Sequence, residues 1–294
     1  MRILLATDGS RDSHAAAAYL KLLPLPPSTA VRVVTVAPLP VFAADVTSVS
    51  ELKGAVIDRA REVVDRARIG LAERGFVIET DVALGDPRVE IVLQAEEWKA
   101  DLVVVGARGL GTVKRLLLGS ISDAVARHAP CPVLVVKGRR RRLGSVLVAV
   151  DGSDDSSRAV RFLESLALAR QTRMRLLGVV EPLRYPTTAP RAADRKLREI
   201  LREIEDERRG QLDRALQQAA EQLGDKVARV NRYTPSGDPA EEILVTARDF
   251  DTDLVVMGAR GLGGVARVLL GSVSGKVLHH ARCPVLIVKA RPKA

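Results

Sequence analysis

The chain contains the stretch LVVVGARG at residues 102–109 and, with one change, LVVMGARG at residues 254–261. Each copy begins with four apolar residues, which is typical of a central strand buried on both faces of a parallel sheet. In each copy a glycine follows the apolar run, and glycine permits tight turns and close approach of the backbone to a neighbouring group. The pair therefore predicts two α/β domains, each with a buried strand that leads into a glycine-rich loop.

The repetition extends far beyond these eight residues. Residues 85–136 align with residues 237–288 without a gap, and more than half of the aligned positions are identical. The segment LATDGS at the start of the chain returns as VAVDGS at residues 148–153. Internal duplication explains both matches, and 294 residues suffice for two domains that each bury a sizeable core. We predict domains at 1–137 and 144–290, joined by an arginine-rich linker at 138–143.

The order of local patterns predicts the fold class. Short runs of valine, leucine and isoleucine alternate with helical periodicity, which is typical of βαβ units. Because aromatic residues form only 3% of a chain that is 47% hydrophobic, aliphatic side chains must build the cores. We predict an α/β fold of two tandem doubly wound domains, each a five-stranded parallel sheet of order 3-2-1-4-5 with helices on both faces. The predicted strands are 3–7, 31–36, 76–83, 101–105 and 132–136, then 145–150, 174–180, 226–233, 253–257 and 284–288.

The two copies differ in length in their middle part. The offset between them rises from 143 residues at Asp8 and Asp151 to 152 residues at Gly106 and Gly258. We place the additional residues at 191–223, where leucine and isoleucine recur at helical spacing. One long amphipathic helix with a solvated polar face is the prediction for this segment.

The final strands of the two copies are apolar sheet edges, and such edges must be paired or covered. We therefore predict that strands 132–136 and 284–288 lie side by side about a pseudo-twofold axis. The chain would then be a pseudo-symmetric two-domain monomer or would form a homodimer.

Composition limits the classes of partner. A net charge of +10 fits a nucleic-acid partner, an anionic small ligand or a solubility effect equally well. The few aromatic residues are scattered, whereas single-strand binders interleave them for base stacking, so nucleic acid is not favoured. Cys131 and Cys283 are matched single residues rather than a disulfide framework. With no secretion signal and no apolar run of about 20 residues, we expect a cytoplasmic protein without a membrane span.

The strongest chemical signal is the spacing that follows the fourth strand of each copy. The sequence GARG is followed by nine residues and then by GSIS at 119–122, and the second copy repeats this spacing with GSVS at 271–274. Open α/β sheets bind ligands at the carboxyl ends of their strands, and the unpaired amides of a helix N-terminus favour phosphate. The pattern predicts a phosphate-binding loop in each copy. The alternative is a tight strand-to-helix turn with a serine N-cap.

A second element follows the first strand of each copy. Asp8 and its equivalent Asp151 each precede Gly-Ser. Since strands one and four are neighbours in the predicted order, this loop and the glycine loop would flank one crevice. A carboxylate there can hold ribose hydroxyls or a metal-bound phosphate, or it can merely cap the next helix.

Other nucleotide motifs do not fit. The segment GSVSGKV at 271–277 has one residue too few for a Walker loop, and Val277 stands where a magnesium-binding hydroxyl is needed. The segment GLG at 109–111 lacks the third glycine of a dinucleotide fingerprint. The loop around Asp8 shares part of the Ser-Gly-Gly-x-Asp-Ser pattern of ATP pyrophosphatases but lacks one glycine. An adenine-nucleotide hydrolase and a scaffold with vestigial sites remain as alternatives.

The glycine spacing, together with TDGS at 7–10 and CPVLVV at 131–136, resembles the ATP-binding branch of the universal stress protein family. The resemblance covers nearly the whole chain in two copies and implies an adenine-nucleotide α-hydrolase-like fold. It also implies that the aspartates face ribose, that Val36 and Val179 meet adenine through their backbone, and that the glycines and serines hold phosphates. The residues expected to bind ATP are, in the first copy, Asp8, Gly9, Ser10, Val36, Val105, Gly106, Arg108, Gly109, Gly119, Ser120, Ile121 and Ser122. In the second copy they are Asp151, Gly152, Ser153, Val179, Met257, Gly258, Arg260, Gly261, Gly271, Ser272, Val273 and Ser274.

The resemblance implies a nucleotide-dependent regulator of the stress response. None of the four histidines lies in a glycine or aspartate motif, so no ready general base stands beside the phosphates. We expect at most slow hydrolysis and assign no catalytic residue. Because the motifs are complete in both copies, we expect two ATP sites per chain, with Mg²⁺ held through the phosphates and no dedicated metal site.

Overall fold

The computed structural model describes residues 1–38, 46–110, 118–138, 140, 142–183, 191–262 and 270–290, with backbone alone at 46–51, 191–195 and 198. The first half contains β1 (Arg2–Ala6), α1 (Arg11–Leu20), β2 (Ala30–Ala37), α2 (Val46–Leu71), β3 (Val77–Leu84), α3 (Pro87–Glu97), β4 (Leu102–Gly106), α4 (Ser120–His128) and β5 (Val133–Val136). The second half contains β6 (Ser145–Ala149), α5 (Asp154–Glu164), β7 (Arg173–Leu177), α6 (Arg191–Gly224), β8 (Val230–Tyr233), α7 (Pro239–Asp249), β9 (Leu254–Gly258), α8 (Ser272–His280) and β10 (Val285–Val288).

The strands form one sheet of order β3-β2-β1-β4-β5-β10-β9-β6-β7-β8. Within each half the pairs are parallel and the order is 3-2-1-4-5, so the predicted fold class is confirmed. Helices α1, α2, α5 and α6 supply the apolar layer on one face. Helices α3, α4, α7 and α8 supply the layer on the other face. The doubly wound arrangement arises because both faces of each aliphatic strand must be buried.

Two strand boundaries differ from the prediction by more than one residue. Strand β7 ends at Leu177, after which Gly178 and Val180 donate to the carbonyls of Tyr233 and Pro235 at 3.1 and 3.0 Å. Strand β8 begins only at Val230, because the 34-residue α6 runs to Gly224 and a turn follows it. The predicted long helix is confirmed.

The two halves join through β5 and β10, as predicted. These strands are antiparallel, with Val135 opposite Val285 and Leu134 opposite Leu286. Both leucines are almost fully buried, with exposed fractions of 1% and 2%. Because the two leucines are equivalent residues of the repeat and face each other, the pseudo-twofold axis passes between them. Pairing removes two apolar edges from solvent.

Two lysines, Lys137, which is buried, and Lys289, which is partly buried, reinforce the joint. Lys137, which follows β5, donates to the carbonyl oxygens of Leu278 and, at 3.0 Å, of Ala281 at the end of α8. Its equivalent, Lys289, follows β10 and donates to the carbonyl oxygens of Ala126 and Arg127 in α4 at 3.0 and 3.2 Å. Each half therefore holds the last turn of a helix from the other half.

Burial of these ammonium groups predicts a pH dependence of stability. Desolvation lowers the pKa of both Lys137 and Lys289 from 10.5 to about 8. Between these values the unfolded chain keeps protons that the folded chain has released, so the free energy of unfolding should rise with pH across that window. The expected rise is on the order of 1 kcal/mol per lysine between pH 8 and 9.5. Denaturant unfolding at several pH values, compared with the Lys137→Met/Lys289→Met variant, measures it; parallel curves would contradict the prediction.

No helix in the described part of the chain combines the length and the apolar character that a membrane span requires.

Candidate functional site

The structure brings the two predicted loops of each half together at the carboxyl ends of neighbouring strands. In the first half, Asp8-Gly9-Ser10 follows β1, and the GARG segment follows β4, which pairs with β1. The backbone N–H of Leu110 donates to Oδ2 of Asp8 at 2.9 Å. In the second half β6 and β9 pair in the same way. The two loops therefore form one site in each half.

The aspartates are held by backbone amides of their own loop. Oδ1 of Asp8 accepts from the N–H of Ser10, and Oδ1 of Asp151 accepts from the N–H of Ser153, each at 3.0 Å. Gly9 and Gly152, between these pairs, adopt φ of 74° and 83°. This left-handed backbone explains why both copies have glycine there.

The second glycine of the GARG segment makes room for the carboxylate. A side-chain carbon at Gly109 would lie 2.6 Å from Oδ2 of Asp8, and one at Gly261 would lie 2.6 Å from Oδ2 of Asp151. Any larger residue would displace the aspartate. The same close approach in both halves indicates that aspartate and glycine were kept as a pair of contacting groups.

Serine, rather than aspartate, caps the helix that follows β1. Oγ of Ser10 accepts from the N–H of Ser13 at 3.2 Å and lies 3.2 Å from the carbonyl oxygen of Arg108. Ser153 caps α5 in the same way. The alternative that Asp8 and Asp151 serve as helix caps is therefore wrong, because the caps are the serines two residues later. Both carboxylates are only partly buried.

The arginines of the GARG segments are engaged within the protein. Nε of Arg108 donates to Oδ2 of Asp12 at 2.9 Å, and Nε of Arg260 donates to Oδ2 of Asp155 at 3.2 Å. Asp12 raises the pKa of Arg108 by hydrogen bonding and by its charge. Arg158 adds a second partner to Asp155 at 2.7 Å. The arginines thus tie each glycine loop to the first turn of α1 or α5.

Sequence reasoning missed these aspartate partners. A signal existed, because Asp12 and Asp155 are related by the same offset as Asp8 and Asp151. Both partner carboxylates are buried, with exposed fractions of 7% and 3%. A buried carboxylate requires a partner of opposite charge or several hydrogen bonds, and the arginine supplies that partner.

Close packing of a helix against the end of the fourth strand explains the glycines at positions 106 and 258. A side-chain carbon at Gly106 would lie 2.5 Å from the carbonyl carbon of Asp12, and one at Gly258 would lie 2.7 Å from that of Asp155. The first turn of α1 or α5 therefore packs directly on the end of the fourth strand.

The helices that follow the glycine loops begin without a side-chain cap. The N-cap residues of α4 and α8 are Gly119 and Gly271, and neither has a capping side chain. Ser120 and Ser272 are the first residues of these helices and are exposed. The alternative of a serine N-cap is therefore wrong, because the cap is the preceding glycine. By contrast, α3 and α7 are capped by aspartates.

The amides at the start of α4 and α8 are available to a ligand. The first intrahelical bonds begin with Asp123 and Gly275, which donate to the carbonyls of the capping glycines at 3.0 and 2.9 Å. Among the residues that the structure describes, the N–H groups of 120–122 and 272–274 have no acceptor. Unpaired amides at a helix N-terminus carry the positive end of the helix dipole.

The remaining serines of the motif lie deeper. Oγ of Ser122 lies 2.8 Å from the carbonyl oxygen of Ala107, and Oγ of Ser274 lies 2.6 Å from that of Ala259. Both serines are buried. Their hydroxyls hold the helix start against the glycine loop, while Ile121 and Val273, between these serines and the exposed ones, are partly buried. Residues 111–117 and 263–269, in the middle of each nine-residue spacing, lie outside the described residues.

Four further predicted residues lie at or near the carboxyl ends of β2, β4, β7 and β9. Val105 and Met257 are buried, with exposed fractions of 3% and 4%, and their side chains belong to the apolar core. Val36 lies in β2 and is partly buried. Val179 lies two residues beyond β7 and is also partly buried.

The described residues contain no cluster of three or more His, Cys, Asp or Glu side chains arranged to hold a metal ion.

Known proteins are similar in sequence to both halves of the chain. A sequence model described as the universal stress protein family matches residues 1–137 and 143–289. A universal stress protein of Mycolicibacterium smegmatis is 30% identical over 244 residues, which cover 80% of this chain and 78% of that protein. Another, from Bacillus subtilis, is 33% identical over 144 residues, which cover 49% of this chain and 97% of that protein.

The fold also has solved counterparts. The crystal structure of a universal stress protein from Archaeoglobus fulgidus superposes with a TM-score of 0.67, at 24% identity, over 98% of both chains. This match extends across both halves and supports the doubly wound architecture.

Proposed function

This chain belongs to the universal stress protein family, with two copies of the family domain in tandem, and from that premise we propose that each copy binds one ATP as part of a nucleotide-dependent regulatory role in the stress response. The observation that carries the proposal is the start of α4 and α8, where the first amides have no acceptor among the described residues. Each lies at the carboxyl edge of the sheet beside a partly exposed aspartate. The arrangement occurs twice, and in both halves the aspartate accepts from the N–H of the serine two residues later.

The chemistry of the two groups suits the two ends of a nucleotide. Unpaired amides and an exposed hydroxyl at a helix start attract phosphate oxygens. A carboxylate has about four acceptor positions, and the described contacts of Asp8 use two of them, from Ser10 and Leu110. The remaining positions can accept hydrogen bonds from ribose hydroxyls. Adenine would then lie toward the backbone at Val36 or Val179.

The proposed role is binding rather than rapid turnover. Arg108 and Arg260 are bound to buried aspartates, so neither is a free cation for a developing phosphate charge. No histidine belongs to the loops. Magnesium would be carried by the phosphates, with Asp8 and Asp151 as the nearest carboxylates of the two loops. We therefore expect slow hydrolysis at most.

Replacing Ser120 with alanine tests the phosphate assignment. The change removes one hydrogen bond to a charged group, so ATP binding at the first site should weaken about tenfold to hundredfold. Thermal stability should change little, because Gly119 rather than Ser120 is the helix cap. Isothermal titration and thermal unfolding measure the two quantities, and Ser272→Ala is the twin variant.

Asp86→Ala provides the matched control. Asp86 caps α3 by accepting from the N–H of Arg88 at 2.9 Å and belongs to neither of the two predicted loops. Its removal should cost about 1 kcal/mol of stability and leave ATP affinity unchanged. If Ser120→Ala instead behaves like Asp86→Ala, the serine serves the fold and the phosphate assignment fails.

A further inference from the structure

The helices that begin at the two proposed phosphate sites end against the opposite half of the molecule. Each of them, α4 and α8, has nine residues. At about 1.5 Å per residue, some 13 Å separates the phosphate end from the far end. The far end of α8 is held by Lys137 of the first half, and the far end of α4 is held by Lys289 of the second half.

These lysine contacts match the chemistry of a helix C-terminus. The last carbonyls of a helix have no intrahelical partner, and the dipole there favours a cation. Lys137 reaches a third carbonyl, that of His279, at 3.2 Å. The corresponding acceptors of the two lysines, Leu278 with Ala126 and His279 with Arg127, are equivalent residues of the repeat. The pseudo-twofold axis therefore relates the contacts of Lys137 with Leu278 and His279 to those of Lys289 with Ala126 and Arg127.

Each lysine is also attached to the glycine loop of its own half. The carbonyl of Val136, directly before Lys137, accepts from the N–H of Ala107 at 2.9 Å. The carbonyl of Val288, directly before Lys289, accepts from the N–H of Ala259 at 2.7 Å. A short path of covalent and hydrogen bonds thus runs from one glycine loop, through a lysine, to the helix of the other site.

We propose that Lys137 and Lys289 are crossed positioning residues: Lys289 sets the position of α4 and so the phosphate site of the first half, while Lys137 does the same for α8 and the second half. The proposal rests on the ATP-binding function proposed above. It assigns to each nucleotide site one residue from the opposite domain. A single isolated domain would then lack the residue that holds its phosphate-binding helix in place.

The titratable groups around the lysines are consistent with this role. Cys283 and Arg108 face Lys137, and Cys131 and Asp155 face Lys289. Desolvation is the largest influence on both ammonium groups and lowers the pKa of each. A neutral amine still carries two N–H groups, so Lys289 can keep both of its carbonyl contacts and Lys137 can keep two of its three.

The test measures each site alone. Ser120→Asp silences the first site by placing a carboxylate where phosphate binds, and Ser272→Asp silences the second. In the Ser120→Asp background, Lys137→Met should weaken ATP binding about five- to tenfold, within the range of typical coupling between sites, whereas Lys289→Met should leave it within about twofold. The Ser272→Asp background should give the reverse result. Lys137→Arg, which keeps N–H donors, should restore at least part of the affinity.

Two controls separate positioning from general stability. Lys21→Met removes a lysine whose Nζ lies 3.9 Å from Glu73 on the surface of the first half, and it should leave both sites unchanged. Hydrogen exchange without nucleotide provides a readout that does not need ATP binding. Lys137→Met should accelerate exchange in α8 and not in α4, and Lys289→Met should do the opposite.

The outcomes are distinct. Crossed effects on both affinity and exchange support the proposal. Equal effects on both sites, effects on each lysine's own half, or no effect would overturn it. If the unmodified chain binds no ATP, the proposed function fails, while the crossed exchange pattern still decides whether the lysines position the helices.

Discussion

Replacing Gly106 with alanine is expected to destabilise the protein by roughly 3 kcal/mol. The new carbon would lie 2.5 Å from the carbonyl carbon of Asp12 and 2.7 Å from the nitrogen of Ser13. These atoms belong to the backbone of the first turn of α1, so no side-chain rotation can relieve the clash. The unfolding midpoint should fall by several degrees in a thermal melt, since about 1 kcal/mol corresponds to 2–4 °C in domains of this size.

Two other glycine variants sharpen this test. Gly258→Ala should have a similar effect, because its carbon would lie 2.7 Å from backbone atoms of Asp155 and Ser156. Gly54 lies in the interior of α2, and a side-chain carbon added there would have no neighbouring atom within 4 Å. Gly54→Ala should therefore stabilise the protein by up to about 1 kcal/mol. If Gly106→Ala melts like the unmodified protein, the glycine is not needed for packing and the close contact of α1 with β4 is not a constraint.

Placing aspartate at Ser120 and Ser272 is expected to abolish ATP binding while the fold is retained. A carboxylate about 4 Å from a phosphate charge is unfavourable by roughly 1–4 kcal/mol, depending on the local dielectric, so each site should weaken up to about a thousandfold. An acidic residue in the first turn of a helix is favourable to the helix itself. Each single variant should therefore bind one ATP per chain, and the double variant none, with melting temperatures unchanged or slightly raised.

Gln222→Glu is the control for the change in net charge. Gln222 is exposed in the last turns of α6, and its substitution also adds one negative charge. It should leave both sites intact. Retention of two ATP per chain by the double aspartate variant would place the phosphates elsewhere.

The main features of the architecture could be predicted because the duplication made each pattern visible twice. The apolar runs at Leu102 and Leu254 identified the central strands, and the strand order followed from the βαβ pattern. The pairing of β5 with β10 followed from the need to cover an apolar edge. These features depend on periodicity and burial, which are encoded locally.

Other features depend on contacts between distant segments and could not be read in advance. Glycine and serine both occur at helix N-caps, so the pattern alone did not decide whether Gly119 or Ser120 occupies that position. The partner of Arg108 is Asp12, which lies in α1, 96 residues earlier in the chain. The residues next to Arg108 in the sequence therefore do not show that its charge is paired. The predicted strand 174–180 extends three residues beyond the observed end of β7, because Val179 and Val180 continue the apolar pattern after the regular strand has ended.

The contacts of Lys137 and Lys289 are the clearest example of such a limit. Both lysines directly follow an apolar strand, where a solvated position is the ordinary expectation. The burial of Lys137 and the partial burial of Lys289 arise only when the two halves are placed about the pseudo-twofold axis. The matching offset of the two residues was a signal, but it did not identify the carbonyl groups that they meet.

Each half of this chain is proposed to contain an ATP site, and native mass spectrometry of the unmodified protein titrated with Mg²⁺ and ATP counts the nucleotides that it binds. The predicted result is a series of species with zero, one and two nucleotides per chain, saturating at two, with the two sites of comparable affinity. Saturation at one nucleotide would contradict the equivalence of the two halves, and a protein that stays empty at millimolar ATP would contradict the proposed function itself.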